Sequence, residues 1–513
     1  MTNSNGPGKS DRPIVPEKSL NNAGQPVAEG MEGRGSAEGN LRQQNAPRAQ
    51  HREGAPSALE RVRQAAARDR KVRFTTLLHH VYNPDALRVA YFALKRNASP
   101  GVDGETWRHY GEALESNLLD LSGRLKRGGY RAKPVRRAYI PKTDGRQRPL
   151  GVTALEDKIV QRATVDVMNA IYEVDFLGFS YGFRPGRGAH DAMDALCVGI
   201  ESRKVNWILD ADIRSFFDEI SQECLIGFLE QRIGDRRIIR LIQKWLRAGV
   251  LEDGVVSVSD RGTGQGSVIS PLLANIYLHY ALDLWAVRRR DEITGDMIIV
   301  RYADDFIIGF QYENDALRSL DQMRKRLGEF ALTLHPKKTR LIEFGRDAAA
   351  RRKLRGLGRP GTFNFLGFTF ICSKSRRGKF QIKRKSRRDR MRAKLQAIQQ
   401  ELRRRIHQPI PVQGKWLRQV VTGYFNYHAV PTNSPSLDAY RFFVTELWQR
   451  TLRRRSQKDG MTWERITRLA DDWLPKSHIL HPWPQARFAA THPRWEPYAG
   501  IPLVRIWAGG AQR

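Results

Sequence analysis

The stretch Met297-Ile298-Ile299-Val300-Arg301-Tyr302-Ala303-Asp304-Asp305-Phe306-Ile307-Ile308-Gly309-Phe310 decides how the chain is read. Runs of β-branched and aromatic residues flank Asp304 and Asp305, the pattern of two buried strands joined by a tight turn. In mid-strand, adjacent side chains point to opposite faces and the two acids would diverge. At a hairpin tip the backbone turns and both carboxylates can converge. Two acids at the end of a buried hairpin are costly unless a cation neutralises them. Hard oxygen ligands of this kind suit Mg2+, which takes one or two carboxylates and completes its shell with water and phosphate oxygens. The competing reading is a solvated Asp-Asp turn.

Composition sets the outer bounds. The 513 residues carry 88 Lys and Arg against 54 Asp and Glu, a net charge of +34, with a pI near 10.5. An enzyme of small metabolites has no need of this imbalance, whereas a partner with many phosphates does. Cys197, Cys224 and Cys372 are isolated from one another and suggest neither a disulfide framework nor a zinc site. No apolar run reaches membrane-spanning length, and no apolar signal core opens the chain. The expectation is a cytoplasmic, polyanion-binding protein with no membrane partner.

Outward from the hairpin, other stretches acquire roles. Trp207-Ile208-Leu209 leads into Asp210-Ala211-Asp212, a second strand ending in acids, with Asp210 and Asp212 on one face. Gly262 to Ser267 reads as a flexible loop containing Gln265. After it, Ser270 is expected as the N-cap and Pro271 as the first residue of a helix. Upstream, Tyr139 to Gly151 reads as a basic hairpin with Lys142 and Arg148 on its two arms. Thr153 to Ala170 is expected to be helical, with Leu155, Ile159, Ala163, Val167 and Ile171 forming one buried stripe. Ser180-Tyr181-Gly182-Phe183-Arg184-Pro185 suits close approach to a nucleic-acid backbone and base; a packed aromatic turn fits the same residues.

The ends differ from the middle. Residues 1–56 are rich in Gly, Asn, Gln, Pro and Ser and read as a disordered tail, followed by a basic helix from Ala58. An apolar strand through Phe365-Leu366-Gly367-Phe368 is expected to end the compact part. Lys374 to Arg405 holds 15 Lys and Arg against only Asp389 and Glu401. With Leu395, Ile398, Leu402 and Ile406 as its apolar stripe, it reads as a basic amphipathic helix. Further helices are expected over Trp416–Val430 and Tyr440–Leu452, and then a Trp- and Pro-rich region in which most tryptophans pack.

The order of these elements points to nucleotidyl transfer. That chemistry needs two metal ions ~3.5–4 Å apart held by carboxylates from separate strands, and positive side chains for a triphosphate. Pro100-Gly101-Val102-Asp103-Gly104, Ile140-Pro141-Lys142, Arg148-Pro149-Leu150-Gly151, Ser180 to Pro185, Asp212 to Asp218, Gln265-Gly266, Ser270 to Leu278 and Tyr302-Ala303-Asp304-Asp305 carry a resemblance. The chain resembles the bacterial group II intron-encoded reverse transcriptases, which double as RNA maturases.

The resemblance implies an α/β (α+β) right-hand polymerase fold. Fingers with an N-terminal extension would span 57–200, the palm 201–370, an all-α thumb and maturase domain 371–455, and a nucleic-acid-binding region 456–513. It makes Asp212, Asp304 and Asp305 the catalytic metal ligands for two Mg2+ ions. Asp210 competes for the first place, and Asp212 is preferred because Phe217 then falls where such polymerases place the ring that excludes a ribose 2′-hydroxyl. Lys142 and Arg148 would hold the triphosphate, and Gln265 would lie beside the incoming nucleotide and template. Arg384, Lys385, Arg387 and Arg388 are expected to bind RNA. The implied partners are group II intron RNA, template RNA with a DNA primer, dNTPs and target DNA.

Two departures stand out. Gly264 and Ser267 replace a proline and a glycine usual around Gln265, which puts the rigidity of that loop in question. With no cysteine after Cys372, a Cys/His-rich endonuclease domain is not expected. Rival readings are a non-polymerising RNA chaperone and a domesticated polymerase serving DNA repair or defence.

Overall fold

The computed structural model describes residues 57–141, 147–252, 254–264, 266–455 and 460–491. The expected N-terminal tail, Lys142, Gln265, Trp495 and Trp507 lie outside them. In chain order the strands are β1 (Val135–Pro141), β2 (Gln147–Val152), β3 (Trp207–Asp212), β4 (Val250–Glu252), β5 (Val255–Ser257), β6 (Met297–Tyr302), β7 (Asp305–Phe310), β8 (Arg340–Glu343), β9 (Phe363–Phe365), β10 (Phe368–Lys374) and β11 (Phe380–Ser386). They form three sheets ordered β2-β1-β4-β5, β6-β7-β3-β8 and β11-β10-β9.

The second sheet is the middle layer, antiparallel throughout and covered on both faces. Strand alternation divides its side chains. Leu209, Ala211, Ile299, Phe306, Ile308 and Phe310 face a large core that includes the Glu313–Glu329 and Leu155–Asp175 helices. Ile208, Ile298, Val300 and Ile307 face a second core, shared with the Ala189–Ser202 helix and the third sheet. Burial on both sides explains why β6 and β7 read as nearly unbroken apolar runs.

The basic hairpin is present as expected, with β1 and β2 antiparallel and Ile140 opposite Arg148. The Leu155–Asp175 helix buries the whole anticipated stripe, and Val160, Thr164, Met168 and Tyr172 widen it to a second face. A third core joins the helices Arg388–Arg404, Ile410–His428, Ser434–Arg453 and Trp463–Trp473. Trp473 packs on Gly414, while Trp463 and Trp483 stay exposed.

Three expectations are corrected. Lys374 to Ser386 is not helical: Lys374 ends β10, and β11 returns antiparallel to it before the helix begins at Arg388. Within β11 the period-2 pattern turns Arg384 inward, where it is buried and donates to Asp194 over 2.6 Å. Arg384 is thus a structural residue and cannot meet RNA from an exposed helix face. Lys385 and Arg388 are exposed, and Arg387 pairs with Asp389. The apolar stripe of the helix holds, with Ile398 and Leu402 buried.

The second correction concerns Phe365 to Phe368. This is no single strand but a two-residue turn between β9 and β10, with Leu366 at φ +47° and Gly367 at φ +82°. Paired positive φ values match the right-handed twist of the strands they join. In the third, the helix over Ser270–Leu278 is capped by Ile269, and Ser270 lies inside its first turn. Its hydroxyl donates to the Gly264 carbonyl instead.

The buried Arg384–Asp194 pair yields a stability prediction. Asp194→Ala leaves a guanidinium buried without its acid, a loss of about 3–5 kcal/mol. Urea denaturation monitored by tryptophan fluorescence should show a lower midpoint. An unchanged midpoint would contradict the burial assigned to Arg384.

Candidate active site

Strands β6 and β7 are joined by Ala303 and Asp304 alone, with Tyr302 opposite Asp305. Ala303 sits at φ +56°, a left-handed conformation unfavourable for a residue with a Cβ. The turn that presents the acids therefore needs outside support. On the other side of β7 runs β3, and its register sets Asp212 directly opposite Asp305 and Asp210 opposite Ile307. Opposed residues share a face with Cβ atoms ~4.5–5.5 Å apart. The register thus brings Asp212, Asp304 and Asp305 to one end of the sheet and leaves Asp210 one step behind.

Positive side chains already attend this edge. Lys338 Nζ lies 2.6 Å from Asp212 Oδ2, and Arg340 bonds Asp210 at 2.9 Å from its place opposite on β8. The Lys338 loop is seated by the His335 amide, which donates to the Asp212 carbonyl at 2.7 Å. Burial pushes the Asp210 carboxyl above its ordinary value; Arg340 opposes the rise, and the nearby Asp305 and Asp212 add to it. Such crowding of like charge is what a bound cation relieves, and an all-oxygen donor set fits a hard divalent ion. Among the described residues, no three His, Cys, Asp or Glu side chains are gathered to hold a metal ion. What the fold supplies is the register, with Asp212 turned toward Lys338.

The strained turn is braced by Arg301. Fully buried, it uses all five guanidinium N–H groups. Nε and Nη2 bond the Asp283 carboxylate at 2.7 and 2.5 Å, and Nη2 also bonds Ser180 Oγ at 2.8 Å. Nη1 bonds Asn275 Oδ1 and the Ala303 carbonyl, each at 3.0 Å. Asn275 Nδ2 in turn donates to the Gly182 carbonyl at 2.7 Å. Gly182 lies flat against the turn, and a Cβ there would overlap the Ala303 amide nitrogen. Ser180 to Pro185 is accordingly the packed turn of the two readings. Its Arg184 is buried, bonding Glu173 and the carbonyls of Leu177 and Ser180.

Beyond β3 the chain turns through Ser215 at φ +43° into the short helix Phe216–Glu219. Phe216 points into the core, while Phe217 is half-buried with its ring 5.4 Å from that of Phe216. The glycine-rich loop is laced to this helix, with Gly262 donating to Ile220 O and Thr263 to Phe217 O. At its far end Gly266, at φ +111°, rests on the Gly151 backbone of β2, where a Cβ would collide with the carbonyl. Ser267 and Ser270 hydroxyls bond each other at 2.9 Å, so side chains supply stiffness here that a proline would otherwise give. The described residues on either side of position 265 are thus held, Thr263 by Phe217 and Gly266 by Gly151 of the strand that carries Arg148.

Residues 140–370 match the reverse transcriptase (RNA-dependent DNA polymerase) family, a span running from β1 to β10 and including all three acids. Protein YkfC of Escherichia coli is 32% identical over 353 residues, covering 62% of this chain and 88% of that protein. This chain belongs to the reverse transcriptase family. It is an RNA-directed DNA polymerase by kind, and further relatives place it on the group II intron branch. The group II intron-encoded protein LtrA of Lactococcus lactis is 36% identical over 222 residues, 43% of this chain and 37% of LtrA. Nuclear intron maturase 3 of Arabidopsis thaliana is 31% identical over 124 residues, 24% of this chain and 17% of that protein. The family implies a right-hand polymerase fold and use of divalent metal ions. Among the described residues, no helix is long and apolar enough to cross a membrane.

Lys338, Arg340, Asn275 and Asp283 surround the candidate site, and no local sequence pattern singles them out for it. The one local signal was Arg301, a lone charge in the apolar run of β6. For this reverse transcriptase the register makes a sharp prediction. Asp212→Asn should reduce primer extension to background, whereas Asp210→Asn should keep most of it. Parallel single-turnover assays decide the matter, and the opposite ranking would contradict the β3–β7 pairing as the basis of the site.

Proposed function

We propose that this reverse transcriptase copies group II intron RNA into DNA from a DNA primer at the insertion target, and binds the same RNA to assist its splicing. The observation that carries the polymerase half is Asp212 opposite Asp305, beside the Asp304 turn. In this reading Asp212, Asp304 and Asp305 hold two Mg2+ ions, with 57–200 as fingers, 201–370 as palm, 371–455 as thumb and maturase domain and 456–513 as a further nucleic-acid-binding region. Bound there, the ions supply Lewis-acid stabilisation of the primer 3′-oxygen and the leaving pyrophosphate. Lys142 and Arg148 hold the triphosphate, and Gln265 sits beside the templating base. Phe217, packed on Phe216 and fixed through its carbonyl by Thr263, presents its ring where a 2′-hydroxyl would clash. The maturase half draws on the relatives named as intron-encoded proteins and on the net charge of +34.

For RNA, the exposed charges of β11 and the helix after it replace the buried Arg384. Lys383, Lys385 and Arg388 are exposed, with β11 alternation placing Lys383 and Lys385 on the same outward face. Replacing these three by Gln should weaken RNA binding and protein-assisted splicing and flatten the salt dependence of affinity, because fewer counterions are released. Extension of a preannealed primer at saturating enzyme should survive. Asp304→Asn should give the converse, retained RNA binding without synthesis. Filter binding and extension on both variants test the separation; parallel loss of both activities in folded protein would contradict it.

A sugar-discrimination test is independent of these. Phe217→Ala should raise ribonucleotide incorporation relative to dNTP in competition assays. Phe216→Ala should instead destabilise the protein by about 3–5 kcal/mol, the usual loss for a buried Phe. Exchange of the two phenotypes would place the discriminating ring at Phe216.

A further inference from the structure

Arg301 is the most completely satisfied charged side chain near the acids, and it does not reach the substrate-facing edge itself. Its five N–H groups meet the Ser180 loop, the Ser270–Leu278 helix through Asn275, Asp283 and, two residues further along the same hairpin, the Ala303 carbonyl of the turn. Asp283 closes a five-residue π-helical turn, His279–Asp283. A π-turn inserts an extra residue and rotates the helix beyond it, a feature common at functional sites. The Tyr280 and Ala281 carbonyls within it accept from Arg326. Arg301's own backbone is pinned as well, its amide to Phe179 O and its carbonyl by the Tyr181 amide, each at 2.9 Å.

We propose that Arg301 is a positioning residue of the polymerase. It clamps the left-handed Ala303 turn against the Gly182 backbone, so that Asp304 and Asp305 are held in the geometry that receives the cations. Two independent features point to this. The turn is strained at a residue with a Cβ, and strain of about 1–3 kcal/mol persists only where the surroundings over-determine the backbone. The clamp acts on that residue from two sides, a bond to its carbonyl and a glycine surface against its amide. Lysine cannot substitute, since it offers three donors from one point where the planar fork offers five. The proposal rests on the reading of Asp304 and Asp305 as cation-holding residues. Asp304→Asn tests that reading separately.

Arg301 alone is a poor test, because its removal strands the buried Asp283 charge and threatens folding. The informative variant is Arg301→Met combined with Asp283→Leu, which replaces a buried ion pair by apolar groups of similar volume, an exchange often neutral for stability. Gly182→Ala is the second variant, aimed at the other side of the clamp. Near-UV circular dichroism identifies folded protein. Two readouts are used: hydrogen exchange of peptides covering 299–306, and Mn2+ affinity by electron paramagnetic resonance on the full chain bound to a dideoxy-terminated template–primer.

In folded double variant the 299–306 amides should exchange faster, and Mn2+ affinity should fall about 10–100-fold, the usual loss when a supporting partner of a metal ligand is removed. RNA affinity should be unchanged, and Arg301→Lys should not restore cation binding. Faster exchange with unchanged Mn2+ affinity would leave the clamp in place and overturn its link to the cations. A folded double variant with wild-type exchange and affinity would overturn the proposal outright. If the double variant does not fold, Gly182→Ala decides on the same two readouts.

Discussion

The pairing of β3 with β7 is the constraint on which the rest depends. Side chains alternate with a period of two, so a one-residue slip would carry Asp212 to the other face and bring Ala211 beside Asp305. The register is held because both faces are buried: a slip would move Ile208 and Leu209 into the wrong cores at once. Packing deep in the sheet therefore fixes the placement of carboxylates at its edge. The cost is electrostatic. Acids from β3 and the turn crowd one end of a buried sheet, where Lys338 answers Asp212 and Arg340 answers Asp210.

A second layer of organisation serves the turn itself. Ser180 to Pro185, one reading of which was a nucleic-acid contact, and the helix after Ser270 are spent largely on the backbone of the hairpin through Gly182, Asn275 and Arg301. The glycine-rich loop is tied in the same fashion, to Phe217 on one side and Gly151 on the other. Strand β2, the glycine-rich loop and the Phe216–Glu219 helix are thus linked by one set of backbone contacts. Rigid support of this kind is what site chemistry demands, since displacement by about 1 Å can cost 10²-fold in rate.

Much of this was legible in the sequence because it is local. The apolar runs around Asp304 and Asp305, the four-residue stripe from Leu155 to Ile171, and the strand ending at Asp212 each carry their own periodicity. The preference for Asp212 over Asp210 came from resemblance; the register adds that Asp212, and not Asp210, lies opposite Asp305. What stayed hidden depends on distant partners. Lys383-Arg384-Lys385 read as helix because charge density masked a period of two, and the inward Arg384 makes sense only with Asp194, 190 residues away. The Leu366-Gly367 turn was obscured because one of its two positive-φ residues is not glycine. The contacts of Arg301 also rest on distant partners, with Ser180 lying 121 residues off.

The most direct test is a structure of the full chain with template–primer, an incoming dNTP and Mg2+. The β3–β7 register predicts Asp212 and Asp305 oxygens at ~2.0–2.1 Å from a shared ion, Lys338 released from Asp212, and Asp210 still paired with Arg340. An ion held by Asp210 in place of Asp212, with the β3–β7 register unchanged, would contradict it.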